Sequence, residues 1–226
     1  MQAEEYATHE EYVYEDDEQG VKSGRVLWTG CGALLLEHNC EYLEDLVQLC
    51  IQQITPHLIV RPVTTMYGRP VEMPRSHALV GGSYSFSGHK LCGIELAGPL
   101  KELLETVNGD FTREFNRIYV IRYQGGHEYV AKHQDNEADI DQAHPILGLS
   151  YGQERLFRVR KFEPGAGQIL ATVPTKHLHA LQMCGSDFQR LYTHEIVKTT
   201  RLSDTERWVF TFRKHITSPS RKRARD

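Results

Sequence analysis

Apolar residues recur at helical spacing in two stretches and at strand spacing over the second half of the chain. Between Cys40 and Thr55, the positions Leu43, Leu46, Val47, Cys50, Ile51 and Ile54 follow the i, i+3, i+4 rhythm of a one-faced helix, with Asn39 placed to cap it. A second helix is predicted from Pro99 to about Asn108, using Leu100, Leu103, Leu104 and Val107, with a proline in its first turn and Gly109 just past its end. Beyond Phe115 the pattern changes to short β-rich runs separated by turn residues: Ile118–Tyr123, Ile146–Ser150, Leu156–Arg160, Gln168–Thr172, Leu178–Cys184, Tyr192–Lys198 and Arg207–Arg213. Runs of this length and frequency suit a sandwich or jelly roll. The expected fold class is α+β, with helices buttressing a double-sheet β core.

Length and composition narrow this to one domain, since 226 residues at 40% hydrophobic and 25% charged can bury a sizeable core. Residues 1–24 are too polar and acidic to pack and are expected to be disordered, leaving a domain over 25–216 and a basic tail at 217–226. No apolar run approaches the ~20 residues of a membrane helix, and the start Met1-Gln2-Ala3-Glu4-Glu5 lacks the pattern of a secretory signal. An intracellular protein, nuclear or cytoplasmic or both, without membrane partners and monomeric, is therefore expected. Five cysteines without a C-x-x-C signal neither a disulfide framework nor a zinc ribbon. The net charge of −4 is uneven: residues 1–20 hold eight acids and no Lys or Arg, so the remainder carries +4. A mildly basic body permits a polyanionic partner without demanding one. The run Arg221-Lys222-Arg223-Ala224-Arg225 reads equally as an import signal, a phosphate-binding arm or a solvated tail.

Candidate chemistry begins in the last predicted strand, Arg207-Trp208-Val209-Phe210-Thr211-Phe212-Arg213. Side chains alternate along a strand, so the two arginines share one face while Trp208, Phe210 and Phe212 take the other. Two guanidiniums on one stiff face suit a small dicarboxylate, because each matches a carboxylate in a bidentate fork. An amphipathic edge strand with arginines in solvent has the same pattern. Upstream, His133 and Asp135 are two apart and point the same way in extended chain. With one more histidine they complete the two-histidine, one-carboxylate set that leaves positions open on non-haem Fe(II). His194 lies one strand before the arginine pair, with His177 and His179 as rivals.

These residues resemble the AlkB family of Fe(II)/2-oxoglutarate dioxygenases over roughly residues 25–215. Met73-Pro74-Arg75 and Tyr84-Ser85-Phe86-Ser87-Gly88 resemble the nucleotide-recognition lid of the eukaryotic homologues that repair DNA. Arg122-Tyr123-Gln124-Gly125-Gly126 followed by His133-Gln134-Asp135-Asn136-Glu137 resembles the segment from the cosubstrate tyrosine to the first two iron ligands. Leu149-Ser150-Tyr151-Gly152 with Arg155-Leu156-Phe157, then Tyr192-Thr193-His194-Glu195-Ile196, and finally Thr211-Phe212-Arg213 continue the pattern in order.

The resemblance implies a double-stranded β-helix core, iron held by His133, Asp135 and His194, and 2-oxoglutarate bound by Arg207 with help from Tyr123. It places Arg213 nearer the metal, beside Asp135 or the C1 carboxylate. It also implies that Phe86 and the ring of His133 sandwich an extruded base, that Tyr84 and Asn136 touch its edge, and that Arg75 belongs to the lid. Met66 and Tyr67 occupy the place of an apolar finger that fills the gap left by that base. The expected reaction uses O2 and 2-oxoglutarate to strip N-methyl groups from methylated DNA or RNA, with 1-methyladenine and 3-methylcytosine leading and N6-methyladenine in RNA as the nearest rival. A non-catalytic nucleic-acid-binding module is the reading from another class. Three positions depart from the pattern: Ile121 and Val209 stand where many relatives have asparagines that bond the cosubstrate, and Asn136 stands where they have an acid.

Overall fold

The computed structural model describes residues 24–66, 68–86, 89–201 and 205–216, with backbone alone at 65, 66, 83–86 and 89–91. A hairpin of β1 (Arg25–Gly30) and β2 (Ala33–Asn39) leads into α1 (Glu44–Ile54). Two short ribbons follow, β3 (Val63–Met66) with β4 (Arg69–Glu72) and, after β5 (Ser76–Val80), β6 (Ser83–Phe86) with β7 (His89–Cys92). Then come α2 (Gly98–Asp110), β8 (Arg117–Gln124), β9 (Val130–His133), β10 (Ile146–Gly152), β11 (Arg155–Lys161) and β12 (Ile169–Thr175). The described chain closes with β13 (His179–Cys184), α3 (Phe188–Leu191), β14 (Tyr192–Ile196) and β15 (Glu206–Arg213).

The larger sheet runs β1-β2-β13-β10-β15-β8-β5 and the smaller β12-β11-β14-β9. From β8 to β15 the chain passes back and forth between them, so four consecutive-in-space strands of each sheet form a jelly roll, and the β1–β2 hairpin and β5 extend the larger sheet at its two edges. The alternation within each strand assigns its side chains to one of two cores. Ile118, Val120, Leu147, Leu149, Phe210 and Phe212 face outward, where Val47, Cys50, Ile54, Leu100, Leu103 and Val107 of α1 and α2 cover them. Tyr119, Ile121, Tyr123, Leu181 and Met183 face inward, against Val130, Phe157, Val159 and Ile196 of the smaller sheet.

Both predicted helices form, with a difference at each end. Asn39 Oδ1 accepts the Glu41 amide at 2.9 Å, but Cys40, not Asn39, is the N-cap, and the chain enters α1 through a short 3-10 turn. The second helix continues through Gly109 to Asp110, because the Phe111 amide still reaches the Val107 carbonyl and the Asn108 side chain bonds both backbone groups of Phe115. All seven predicted strands are present within a few residues of their expected ends. The passage from β10 to β11, which moves the chain between sheets, needs Gly152: its φ is +90°, and a Cβ there would lie 2.4 Å from the Glu206 carbonyl.

Candidate active site

The site lies on the inward face of the larger sheet, and strand register builds it in rows. Arg207 opposes Tyr123 and Gly152; Val209 opposes Ile121 and Ser150; Thr211 opposes Tyr119 and Gly148. Arg213 ends the series. β15 has partners on both sides, so the arginines do not face solvent as in an edge strand: Arg207 and Arg213 are 2% and 6% exposed. Trp208, Phe210 and Phe212 lie in the helix-covered core, as the alternation requires.

A cavity of about 80 Å³ runs along this face, with Arg207, Tyr123 and Ser150 toward one end and Arg213, Asp135, His133 and His194 toward the other. Its middle is apolar, formed by Ile121, Val209, Leu181 and Phe157. Gly148 contributes no side chain there, and a Cβ on it would touch only the Val209 methyl, at 3.6 Å, and the Leu181 carbonyl, at 4.0 Å.

At one end, His133 on β9 and His194 on β14 are direct ladder partners, which brings their rings to 4.2 Å. Asp135, two residues beyond His133, places its Oδ1 3.6 Å from His133 Nε2 and its Oδ2 3.8 Å from His194 Nε2. Ligand atoms of all three lie within 4.8 Å of one another, the only such group among the described residues. With metal–ligand bonds of about 2.1 Å, two donors on one ion stand at most about 4.2 Å apart, and both of these separations satisfy that limit. His177 and His179 are elsewhere: His177 Nδ1 accepts the Gly152 amide, and His179 pairs with Glu37.

The protonation states suit a cation. Burial alone would raise the Asp135 pKa, but the Arg213 guanidinium, with the two imidazoles, outweighs it and holds the carboxylate down at about 2. Burial, aided by His133 and opposed by Asp135, pulls His194 down to about 3, so its imidazole is neutral at pH 7. His133 Nδ1 lies 3.0 Å from the Ala131 carbonyl, which assigns the proton to Nδ1 and leaves the Nε2 lone pair for a ligand bond. Phe157 stacks on His194 at 5.4 Å and fixes its plane.

Asp135 is held from three sides. Arg213 Nη2 donates to Oδ1 at 2.8 Å, the Gln189 side chain accepts the Asp135 amide at 2.9 Å, and Gln142 donates to its carbonyl at 3.0 Å. Gln189 and Gln142 were beyond sequence reasoning, since they come from other segments at no diagnostic spacing. Ser150 and Gly148 were within reach of it, because counting back by twos from Gly152 puts both on the inward face.

The other end is cationic and incompletely paired. Arg207 Nη2 donates to Ser150 Oγ at 3.1 Å, whereas its Nε and Nη1 are buried without an acceptor among the described residues. Burial chiefly lowers its pKa, to about 10, which still leaves it charged at neutral pH. A buried guanidinium with two donors unmet is costly unless an anion completes it. A carboxylate does so.

Comparison with known proteins agrees with this geometry. No family model matches the chain. It is 29% identical over 98 residues to the human DNA oxidative demethylase ALKBH2, covering 42% of this chain and 38% of that protein. The Arabidopsis thaliana protein of the same name is 31% identical over 108 residues, 45% of this chain and 34% of its own length. The chain thus spans between a third and two fifths of these relatives. A solved structure of OsALKBH1 superposes with a TM-score of 0.52 at 15% identity, over 83% of this chain and all of that one. The chain is thus similar to AlkB proteins in part of its sequence and in its fold.

On this AlkB-like fold, the sequence-derived base contacts fall in the least described part. Tyr67 and the side chains of Met66, Tyr84 and Phe86 lie outside the described residues; the backbone puts Tyr84 and Phe86 on β6. Asn136 is exposed, with its amide 3.4 Å from Gln134 Oε1. Arg75 precedes β5, and its charge acts on Tyr119 and Tyr123, whose pKa values burial raises. Ile121 and Val209 face each other in the cavity floor, which therefore presents hydrocarbon and no side-chain donor at these two positions.

Proposed function

We propose that the chain is an Fe(II)- and 2-oxoglutarate-dependent oxidative demethylase of nucleic-acid bases, with 1-methyladenine and 3-methylcytosine as leading substrates. One observation carries this reading: a His–Asp–His set, with Asp135 and His194 buried and His133 part-exposed, and a buried arginine with two unmet donors open onto the same small cavity. The curated relatives, named as DNA oxidative demethylases, support the substrate class.

His133, Asp135 and His194 would hold the metal, and Arg207 with Ser150 and Tyr123 would bind the distal carboxylate of 2-oxoglutarate. Iron bound there, with 2-oxoglutarate and O2, supplies an oxidation that hydroxylates an N-methyl group, which then leaves as formaldehyde beside succinate and CO2. The chain's own residues bind and position. Arg213 keeps Asp135 ionised and turned toward the imidazoles, so the ligand set is formed in advance. The apolar walls exclude water and leave the carboxylate as the strongest partner for Arg207. The His194 imidazole is neutral at pH 7, and no acid or base is needed beyond the ligands. Phe86 and the His133 ring would clasp the extruded base, Tyr84 and Asn136 would contact its edge, and Arg75, Met66 and Tyr67 would engage the surrounding strand. A methyl group that blocks pairing makes extrusion less costly.

The test is mass spectrometry of DNA and RNA oligonucleotides carrying 1-methyladenine, 3-methylcytosine or N6-methyladenine after incubation with protein, Fe(II), ascorbate and 2-oxoglutarate. Loss of 14 Da, about one methylene per methyl removed, is expected from the first two and must require both metal and cosubstrate. Loss from N6-methyladenine RNA alone would reassign the substrate, and no succinate from any mixture would leave a nucleic-acid-binding module.

A further inference from the structure

Arg155 is a third buried guanidinium near the cavity, after Arg207 and Arg213, and the function just argued gives it no task. It is 4% exposed and starts β11, which belongs to the smaller sheet, yet it reaches across to the loop that follows β8. Its Nη1 donates to the Gly125 carbonyl at 3.3 Å, and its Nη2 lies 3.1, 2.8 and 2.8 Å from the carbonyls of Gly126, Glu128 and Val197. One side chain thereby ties the 125–128 turn to the end of β14. That turn begins two residues after Tyr123.

The Tyr123 ring, 1% exposed, has the Arg155 guanidinium 5.7 Å from its centroid and that of Arg207 5.9 Å away. Every side-chain hydrogen bond of Arg155 goes to a main-chain carbonyl, and neither Arg155 nor Arg207 has a carboxylate within salt-bridge distance among the described residues. Two like charges held beside one buried ring raise the positive potential at this end of the cavity; the buried Glu128 carboxylate offsets part of it at Arg155, and an incoming anion would relieve what remains at Arg207.

We propose that Arg155 is a positioning residue for the cosubstrate's distal carboxylate, fixing Tyr123 and its loop against Arg207 so that the pocket selects a dicarboxylic over a monocarboxylic 2-oxo acid. The inference rests on the 2-oxoglutarate reading of the cavity. It assigns discrimination between acids to a residue that touches neither the acid nor the metal. The four-carbonyl clamp needs the planar fork of an arginine; lysine supplies the charge without the span.

The experiment is calorimetric titration of the full chain, first with Mn(II) alone and then, Mn(II)-loaded, with 2-oxoglutarate and with 2-oxovalerate, which has the same length but lacks the distal carboxylate. For Arg155→Met, Mn(II) affinity should be unchanged, 2-oxoglutarate affinity should fall at least tenfold, and 2-oxovalerate affinity should hold. Arg155→Lys should fall between. Equal weakening of both acids would show a fold brace and overturn the proposal, as would no change in either. If Arg155→Met does not fold, Arg155→Lys decides: a reduced preference for the dicarboxylate supports the role, and an unreduced one refutes it. A wild-type protein that binds Mn(II) but neither acid would overturn the cavity's assignment itself, an outcome distinct from a loss confined to the variants.

Discussion

At the residue scale the site depends on a few charged groups whose partners are specified by burial. Arg207→Gln keeps the bond to Ser150 within reach but removes the charge and the fork, so 2-oxoglutarate affinity should fall about a hundredfold, or roughly 2.7 kcal/mol, while Mn(II) still binds. Calorimetry reads both. Asp135→Asn should do the opposite, abolishing metal binding and leaving Arg213 without its buried counter-charge. Gly148→Val should close the cavity middle without unfolding the protein, since the first added carbon meets only an ordinary contact. The expected outcome is an intact thermal transition with no cosubstrate binding. His133, Asp135, Tyr123 and the arginine pair were legible in the sequence because strand alternation and motif order constrain them directly. Gln189, Gln142 and the clamp of Arg155 were not, because each acts on a backbone group brought near only by the tertiary fold.

At the element scale β15 joins stability to function. Its outward residues Trp208, Phe210 and Phe212 seal the helix-covered core while its inward residues line the cavity, so the two sets of substitutions should separate cleanly. Phe210→Ala, at a site with no exposure, should cost about 3–5 kcal/mol of unfolding free energy, read from urea denaturation. Thr211→Val should cost far less. The helices and the jelly-roll strands were visible from periodicity, since each carries a one-faced pattern. The β1–β2 hairpin was not anticipated: Ala33-Leu34-Leu35-Leu36 is a continuous apolar run without alternation, which fits a buried strand or a helix equally. β9 is short, with only Val130 buried in its pattern, and so gave no strand signal despite carrying the first metal-ligand candidate.

At the scale of the whole molecule, burial of a neutral imidazole makes the fold acid-sensitive. His77, 1% exposed on β5, has its pKa lowered to about 4, by burial first and then by Arg75. The unfolded chain binds that proton near pH 6.5 and the native protein does not, so stability is full above pH 6.5 and falls as pH drops toward 4. The slope from this one group is at most about 1.4 kcal/mol per pH unit. Urea midpoints at pH 7 and pH 5 should differ in that direction, and His77→Gln should reduce the difference. The central claim joins the two ends of the cavity into one reaction, and its most direct test is the yield of succinate and formaldehyde, measured together. The assay contains a 1-methyladenine oligonucleotide, Fe(II), 2-oxoglutarate and O2. The account predicts equal release of both products by the wild-type protein and neither by Asp135→Asn. Formaldehyde and succinate absent from a folded, iron-loaded wild-type protein given each methylated base in turn would contradict it.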